Sequence, residues 1–277
     1  MRAALHVALD ILREALARRW FVAFGLALTA LHLGLGVGLQ LDVVDGALAA
    51  TRLFGSSLGR DIQAVDVVLG RVFEATTYVA YYGGLVFGVL ACSDFGPELL
   101  APGRIEHLLS LPVRRIELLL GTFLGVLLLG LLGTAYGAGG FFLILCAKGG
   151  VWLWRPFCAV YLASVAFFAL YACMLSMSVV VRSAAVSAAA GGVTLFLGIL
   201  AKQREEIAAL FEAGIGRLLV LALSAPLPRV AELADAAAAL ALGEAPAPGL
   251  GRLVLGTLAF GLGALAVGAY VLERKDF

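Results

Sequence analysis

Residues 93–125 read SDFGPELLAPGRIEHLLSLPVRRIELLLGTFLG. The stretch is a short charged connector between two long apolar runs, and it is itself amphipathic. Glu98, Arg104, Glu106, His107, Arg114, Arg115 and Glu117 alternate with Leu99, Leu100, Ile105, Leu108, Leu109, Leu111 and Ile116. If the flanking runs cross a membrane, this segment is a helical elbow at one surface. Pro112 drives Leu111 out of helical geometry. The piece before it can then lie flat while the piece after it rises.

The composition supports that premise. The chain has 277 residues, 62% of them hydrophobic and only 14% charged, with a mean hydropathy of +1.02. A soluble domain carries about 25% charged residues. Too few polar side chains remain to cover a water-facing surface, so the chain is an integral membrane protein. A net charge of +1 points to no acidic partner. No basic block interleaved with aromatics suggests nucleic acid. Cys92, Cys146, Cys158 and Cys173 lie in apolar runs without metal-ligand spacing and read as small buried hydrophobes. A Cys146–Cys158 bridge across a short loop is the alternative.

Charge-free runs long enough to cross the hydrocarbon core occur at 20–41, 75–93, 118–147, 156–181, 184–201 and 253–272. The two longest, 118–147 and 156–181, must tilt, kink or project from the bilayer. Six spans put both termini on one side. The 20 Lys and Arg residues divide equally between the two sides, but the side with the termini is much the shorter. Arg18–Arg19 and Arg274–Lys275 directly abut spans there, which predicts cytoplasmic termini by the positive-inside bias.

Taken in order, residues 3–19 predict an amphipathic entry helix. Leu5, Leu9, Leu12 and Leu16 form one stripe, with His6, Asp10 and Arg13 behind it. Such a helix suits the headgroup plane. A secretory signal, with Ala47-Leu48-Ala49 as an imitation of its cleavage site, is the rival reading. Gly55-Ser56-Ser57-Leu58-Gly59 matches the GxSxG of serine hydrolases, which requires a preceding strand and a following helix. Neither is evident, and with 34 glycines chance explains the match.

Tyr78, Tyr81 and Tyr82 form either an interfacial belt or a substrate-facing stack. His32 sits mid-span, where an ionisable group raises the question of function. A neutral histidine bonded to a neighbouring helix is the plainer reading. The pairs Gly34/Gly38, Gly84/Gly88, Gly121/Gly125 and Gly133/Gly137 have the spacing that allows helix backbones to approach closely. Arg182 and Ser183 alone join spans four and five in a tight hairpin. The insertion 202–252 predicts two helices, 205–223 and 229–242, bounded by Pro226, Pro228, Pro246 and Pro248. The pair forms an outer cap or a re-entrant hairpin.

Familiar chemistry is missing. There is no GxxxxGK[ST] loop for ATP and no HExxH. His6, His32 and His107 are far apart, and His32 has no evident serine partner. An intramembrane enzyme built on His32 or Ser57 is therefore a minor alternative. A force-transmitting membrane protein without transported cargo is another.

The connector resembles the signature of type-2 ABC transporter permeases, a pattern close to E-x(4)-GxxE-xLLSxPxSR followed by LLLGK. Glu98, Gly103, Glu106, Leu108, Leu109, Ser110, Pro112 and Arg115 stand at matching places, and Leu118-Leu119-Leu120-Gly121 opens the third span. Arg114 replaces the usual small Ser, and Thr122 stands where Lys is common. Within the family, the connector is most similar to permeases of copper-enzyme maturation clusters. The resemblance extends to the architecture: all-α, with six spans, an entry elbow helix, a coupling helix between spans two and three, and an outer helical hairpin between spans five and six. It implies an exporter subunit in the cytoplasmic (inner) membrane, without ATPase activity of its own. Two ATPase subunits carrying ATP and Mg would bind two permease chains, identical or different. ATP-driven closure would push on the segment 98–109 and on the entry helix. Glu98, Gly103, Arg104, Glu106, Ser110, Pro112, Arg114 and Arg115 would form the coupling site, and His32, Tyr78, Tyr81 and Tyr82 are candidates for the pathway. Spans with so few charges suit lipid-like, peptide or hydrophobic cargo.

Overall fold

The structure is a computed structural model. It describes residues 2–44, 47–53, 56–59, 63–110, 113–150, 152, 154–211, 214–245 and 248–275, with 40–69 described through the backbone. Helices dominate. The first two are α1 (Arg2–Ala17) and α2 (Arg19–Gly38). After a strand segment come α3 (Val65–Ala91), α4 (Phe95–Leu99), α5 (Arg104–Ser110), α6 (Arg115–Gly149), α7 (Arg155–Val160), α8 (Leu162–Val181) and α9 (Ala184–Leu200). The chain closes with α10 (Arg204–Ala209), α11 (Ile215–Ser224), α12 (Val230–Ala241) and α13 (Leu250–Arg274).

Six helical segments are long and apolar enough to cross a membrane: Phe21–Gly38, Gly70–Leu99, Arg115–Gly149, Arg155–Val181, Ala184–Ala209 and Leu250–Arg274. They match the six charge-free runs. The protein is therefore a multi-pass helical membrane protein. At about 1.5 Å per residue, the 35 residues of α6 span well over the ~30 Å hydrocarbon core.

One segment departs from the all-helical expectation. Leu39–Val44 (β1), Ala47–Leu53 (β2), Ser56–Gly59 (β3) and Gln63–Ala64 (β4) form a small antiparallel sheet, with β1 and β3 flanking β2 and β4 pairing its start. Strand pairing satisfies the backbone groups of a segment too polar for a span. The GxSxG residues Ser56–Gly59 are a strand, not the strand-to-helix elbow a nucleophile requires. Gly55 lies outside the described residues.

The central element is α8. Phe123 on α6 stacks on Tyr171 at 5.8 Å and meets Phe168 edge-on at 5.0 Å. α13 packs on α8 through two glycines. A Cβ on Gly261 would come within 2.7 Å of the Phe168 ring, and one on Gly268 within 3.0 Å of Ser176 Cα. The Ser176 hydroxyl donates across this seam to the Ala264 carbonyl at 2.7 Å. Small residues and hydroxyl bonds hold helices together where no hydrophobic driving force exists between them and lipid.

The two ends of the bundle are distinct. α1, the start of α6 and the ends of α8 and α13 share one face, and the connector lies there. Arg115 at the start of α6 donates to the carbonyls of Leu272 (3.2 Å), Glu273 (3.3 Å) and Lys275 (2.6 Å) at the end of α13. Lys275 in turn donates to the Val179 and Val180 carbonyls at the end of α8, at 2.6 and 3.1 Å. Helix C-termini leave orphan carbonyls, and cations there complement both the hydrogen bonds and the helix dipole. α1 and the end of α13 thus sit on the same face as the connector, as six spans require.

At the far face the insertion is organised differently from the expectation. The predicted helix 205–223 is broken into α10 and α11, with 212–213 outside the described residues. None of α11 is buried, and Ile215, Leu218 and Leu223 are exposed. The predicted helix 229–242 is α12, and most of it is buried: Val230, Leu233, Ala234 and Ala237 have no exposed surface. It runs antiparallel along α3, from Val230 beside Tyr81 to Leu242 beside Gly70, and crosses the end of α9 at Gly198. Its position is that of a cap wedged into the bundle. Cys146 is buried and Cys158 is exposed, and no disulfide joins them, so the alternative of a bridge fails.

Candidate functional site

The connector is two short helices rather than one. Between α4 and α5 the chain turns at Gly103, whose φ of 82° is a left-handed conformation that favours glycine. That requirement gives the motif glycine a backbone role. In α4, Phe95, Gly96 and Leu99 are buried. Gly96 lies so close to α8 that a Cβ would meet the Ser178 side chain at 2.5 Å. Ile105 anchors α5 in the core, while Glu106, His107 and Ser110 face outward. The Ser110 hydroxyl closes on the His107 carbonyl at 2.7 Å. Arg114 is exposed, and its amide donates to Glu117 Oε2 at 3.3 Å, closing the first turn of α6. Leu111 and Pro112 lie outside the described residues.

A five-residue charge network ties this connector to the entry helix. Arg18, in extended conformation between α1 and α2, pairs with Glu14 at 2.5 Å and also with Asp94 and Glu98. Its guanidinium lies 4.3 Å from the centre of the Phe95 ring. Arg104 on α5 reaches back to the other Glu14 oxygen at 2.7 Å. Burial opposes the charge on Glu14, but the bonds from Arg104 and Arg18 outweigh it and hold its carboxyl below the ordinary value. Arg18 is likewise resistant to losing its proton: burial works against the charge, and Glu14, Asp94 and Glu98 more than restore it.

This changes the expected roles. Glu98 and Arg104 are engaged inside the chain, and Arg115 caps α13. Among the described residues of the connector, Glu106 is an exposed acid that makes no ion pair, and it leads the outward face. Asp94 and Glu14 belong to the network and were not singled out from sequence as site residues. Their signal was available only as carboxylates near helix ends.

The entry helix itself docks differently from a simple interfacial helix. Its small face, Ala4, Ala8 and Ala15 with Ile11, is buried. This face runs beside the first turns of α6, in the same direction. A Cβ on Gly121 would lie 2.7 Å from the Ala4 carbonyl, and one on Gly125 would lie 2.9 Å from the Ala8 carbonyl. Of the four glycine pairs, this is the one in which both members meet a neighbouring helix backbone. Leu5, Leu9 and Leu16 are left exposed, which keeps an apolar stripe outside for the bilayer. Thr122 is fully buried and bonds its own helix through the Leu118 carbonyl at 3.0 Å. A lysine at that place would carry its charge into the packed interior.

The pathway candidates all pack against protein. His32 Nε2 lies 3.0 Å from the Gly137 carbonyl of α6, and its ring rests over Gly140 and edge-on to Tyr136 at 5.6 Å. Tyr136 also shares a 2.5 Å hydroxyl contact with Thr29. Tyr81 is fully buried and donates to the Val230 carbonyl at 2.9 Å. Tyr78 donates to Asp235 at 3.1 Å, and Asp235 pairs with Lys202 at 2.6 Å. Tyr82 stacks parallel to Tyr78 at 6.5 Å. Tyr78 and Tyr81 therefore hold α12 in place. His6 and His107 are exposed and distant from His32. Among the described residues no group of His, Cys, Asp or Glu could hold a metal ion.

The chain matches no protein-family model and none of the curated proteins with which it was compared.

Proposed function

We propose that this chain is the membrane-spanning permease subunit of an ATP-driven exporter of the ABC type. It lies in the cytoplasmic membrane with both termini inside. A separate ATPase, present in two copies and carrying ATP and Mg, drives it, and a second permease chain completes the pathway. The chain is not itself an enzyme.

The supporting observation is the clamp made by Glu14, Arg18, Asp94, Glu98 and Arg104. A push on α5 is passed through Arg104 to α1, and through Arg18 to the start of α2. Ile105 and the close seat of Gly96 on α8 carry the same displacement into the core. Lever and entry helix move as one body because their charges are spent on each other. The outward residues Glu106, His107, Ser110 and Arg114 are then the ones left to meet a partner.

The test is co-purification with an ATPase encoded beside this chain, followed by Glu106→Lys. The variant is expected to insert and fold normally, because Glu106 is exposed, and to lower permease-stimulated ATP hydrolysis. Wild-type coupling in Glu106→Lys refutes the docking role.

A further inference from the structure

A cavity of about 820 Å³ opens at the far face, between α13, the start of α10 and the loops on either side of α12. It is remote from the connector and belongs to none of the roles described above. Its volume is within the range of about 300–1,000 Å³ typical of ligand pockets. One wall is a strip of α13, including Gly256, Ala259, Gly263 and Val267. That strip runs about 16 Å down the helix at a rise of about 1.5 Å per residue, comparable to a lipid acyl chain. Gly256 and Gly263 have no neighbouring atom within 4 Å of a notional Cβ, so the wall is open.

The mouth has the opposite character. Arg204, Arg229 and Arg252 line it with a single carboxylate, Glu232. Glu232 is taken by Arg229 at 2.6 Å. The nearest acid to Arg204 is Glu205 at 4.0 Å, and that side chain is 84% exposed. Arg252 is exposed and makes no ion pair among the described residues. The mouth also contains the start of α13, whose N-cap is Gly249 and which therefore has no side-chain cap. Uncapped N–H groups and the positive end of a helix dipole attract anions.

We infer that this cavity is a binding site for an anionic phospholipid, with the phosphate at Arg204, Arg252 and the start of α13, and one acyl chain laid along the Gly/Ala strip. Charge complementarity selects the headgroup. The open apolar wall, on a helix that faces the bilayer, selects a lipid over a soluble phosphate. The site requires only that the chain be embedded in a membrane, so it stands or falls independently of ATP coupling.

The experiment is native mass spectrometry of the purified full chain, released from micelles containing equal amounts of a phosphatidylglycerol and a phosphatidylcholine. Wild type is expected to retain the phosphatidylglycerol preferentially. Arg204→Gln/Arg252→Gln is expected to lose that preference by about fivefold for each arginine. Gly263→Leu, whose Cβ has open space around it, should keep the fold and lose retention of both lipids, so the test does not depend on the double variant folding. Arg71→Gln is the control, since Arg71 is an exposed charge near the same end, on α3, outside the cavity. Equal retention of the two lipids by wild type overturns the proposal. So does wild-type retention in Gly263→Leu, or a loss in Arg71→Gln as large as in the double variant.

Discussion

Replacing Arg18 by glutamine tests the clamp at its centre. The Arg18–Glu14 pair has side chains 15% and 21% exposed, and a hydrogen bond between charged groups in such a setting contributes about 1.5–3 kcal/mol. Asp94 and Glu98 are 42% and 46% exposed, so solvent screens them and each pair contributes only about 0.2–1 kcal/mol. The cation–π contact with Phe95 adds about 0.5–1 kcal/mol. Glutamine recovers one hydrogen bond, which offsets about 1 kcal/mol of the total. Arg104 still holds the second oxygen of Glu14. The net loss is therefore about 1.4–5 kcal/mol in holding α1 to the connector. That change accelerates local opening about tenfold or more. Amide hydrogen exchange of the protein in micelles is the assay, read over Ala4–Ala15 against α8 as an internal reference. Arg18→Lys should fall between wild type and Arg18→Gln, because an ammonium keeps the charge but lacks the planar fork. If exchange over Ala4–Ala15 in Arg18→Gln stays within about threefold of wild type, the clamp does not hold the entry helix and the reasoning fails.

Two further predictions concern the same helix. Gly121→Leu should detach α1 at a cost of about 1–3 kcal/mol, since its Cβ would press on the Ala4 carbonyl. A cysteine placed at Ala8 should then become reactive to maleimide, whereas Gly133→Ala, with open space around it, should leave it protected. The clamp should also weaken in acid. The Glu14 carboxyl is held below its ordinary value, so its contribution is complete above about pH 4.3 and is lost as pH falls through the lowered folded value. Exchange over α1 should rise on acidification in that window and do so less in Glu14→Gln. An equal acid response in both chains argues against Glu14 as the titrating group.

The span pattern was legible because it depends on transfer free energy alone. Each run excludes charge over the bilayer thickness, and that requirement leaves no choice of partner. The Arg182–Ser183 hairpin and the helical character of 230–241 were legible as well, whereas the turn at Gly103, which divides the expected coupling helix into α4 and α5, was not. The sheet over 39–64 was not legible. Its strands have weak alternation, and pairing of β1 with β2 is a property of two segments together.

For the site, the sequence by itself determined which residues could carry charge at the membrane edge and where the connector lies. Only the tertiary structure decided which of those charges are spent internally. Arg18 and Glu98 are neighbours because α1 and α4 meet against α6 and α8, and no spacing in the chain encodes that meeting. Likewise, nothing local separates Gly121 and Gly125, which receive a helix backbone, from Gly34 and Gly84, which face open space. Hydropathy is a property of one residue and its solvent, whereas an ion pair or a close helix approach is a property of two surfaces brought together by the whole fold.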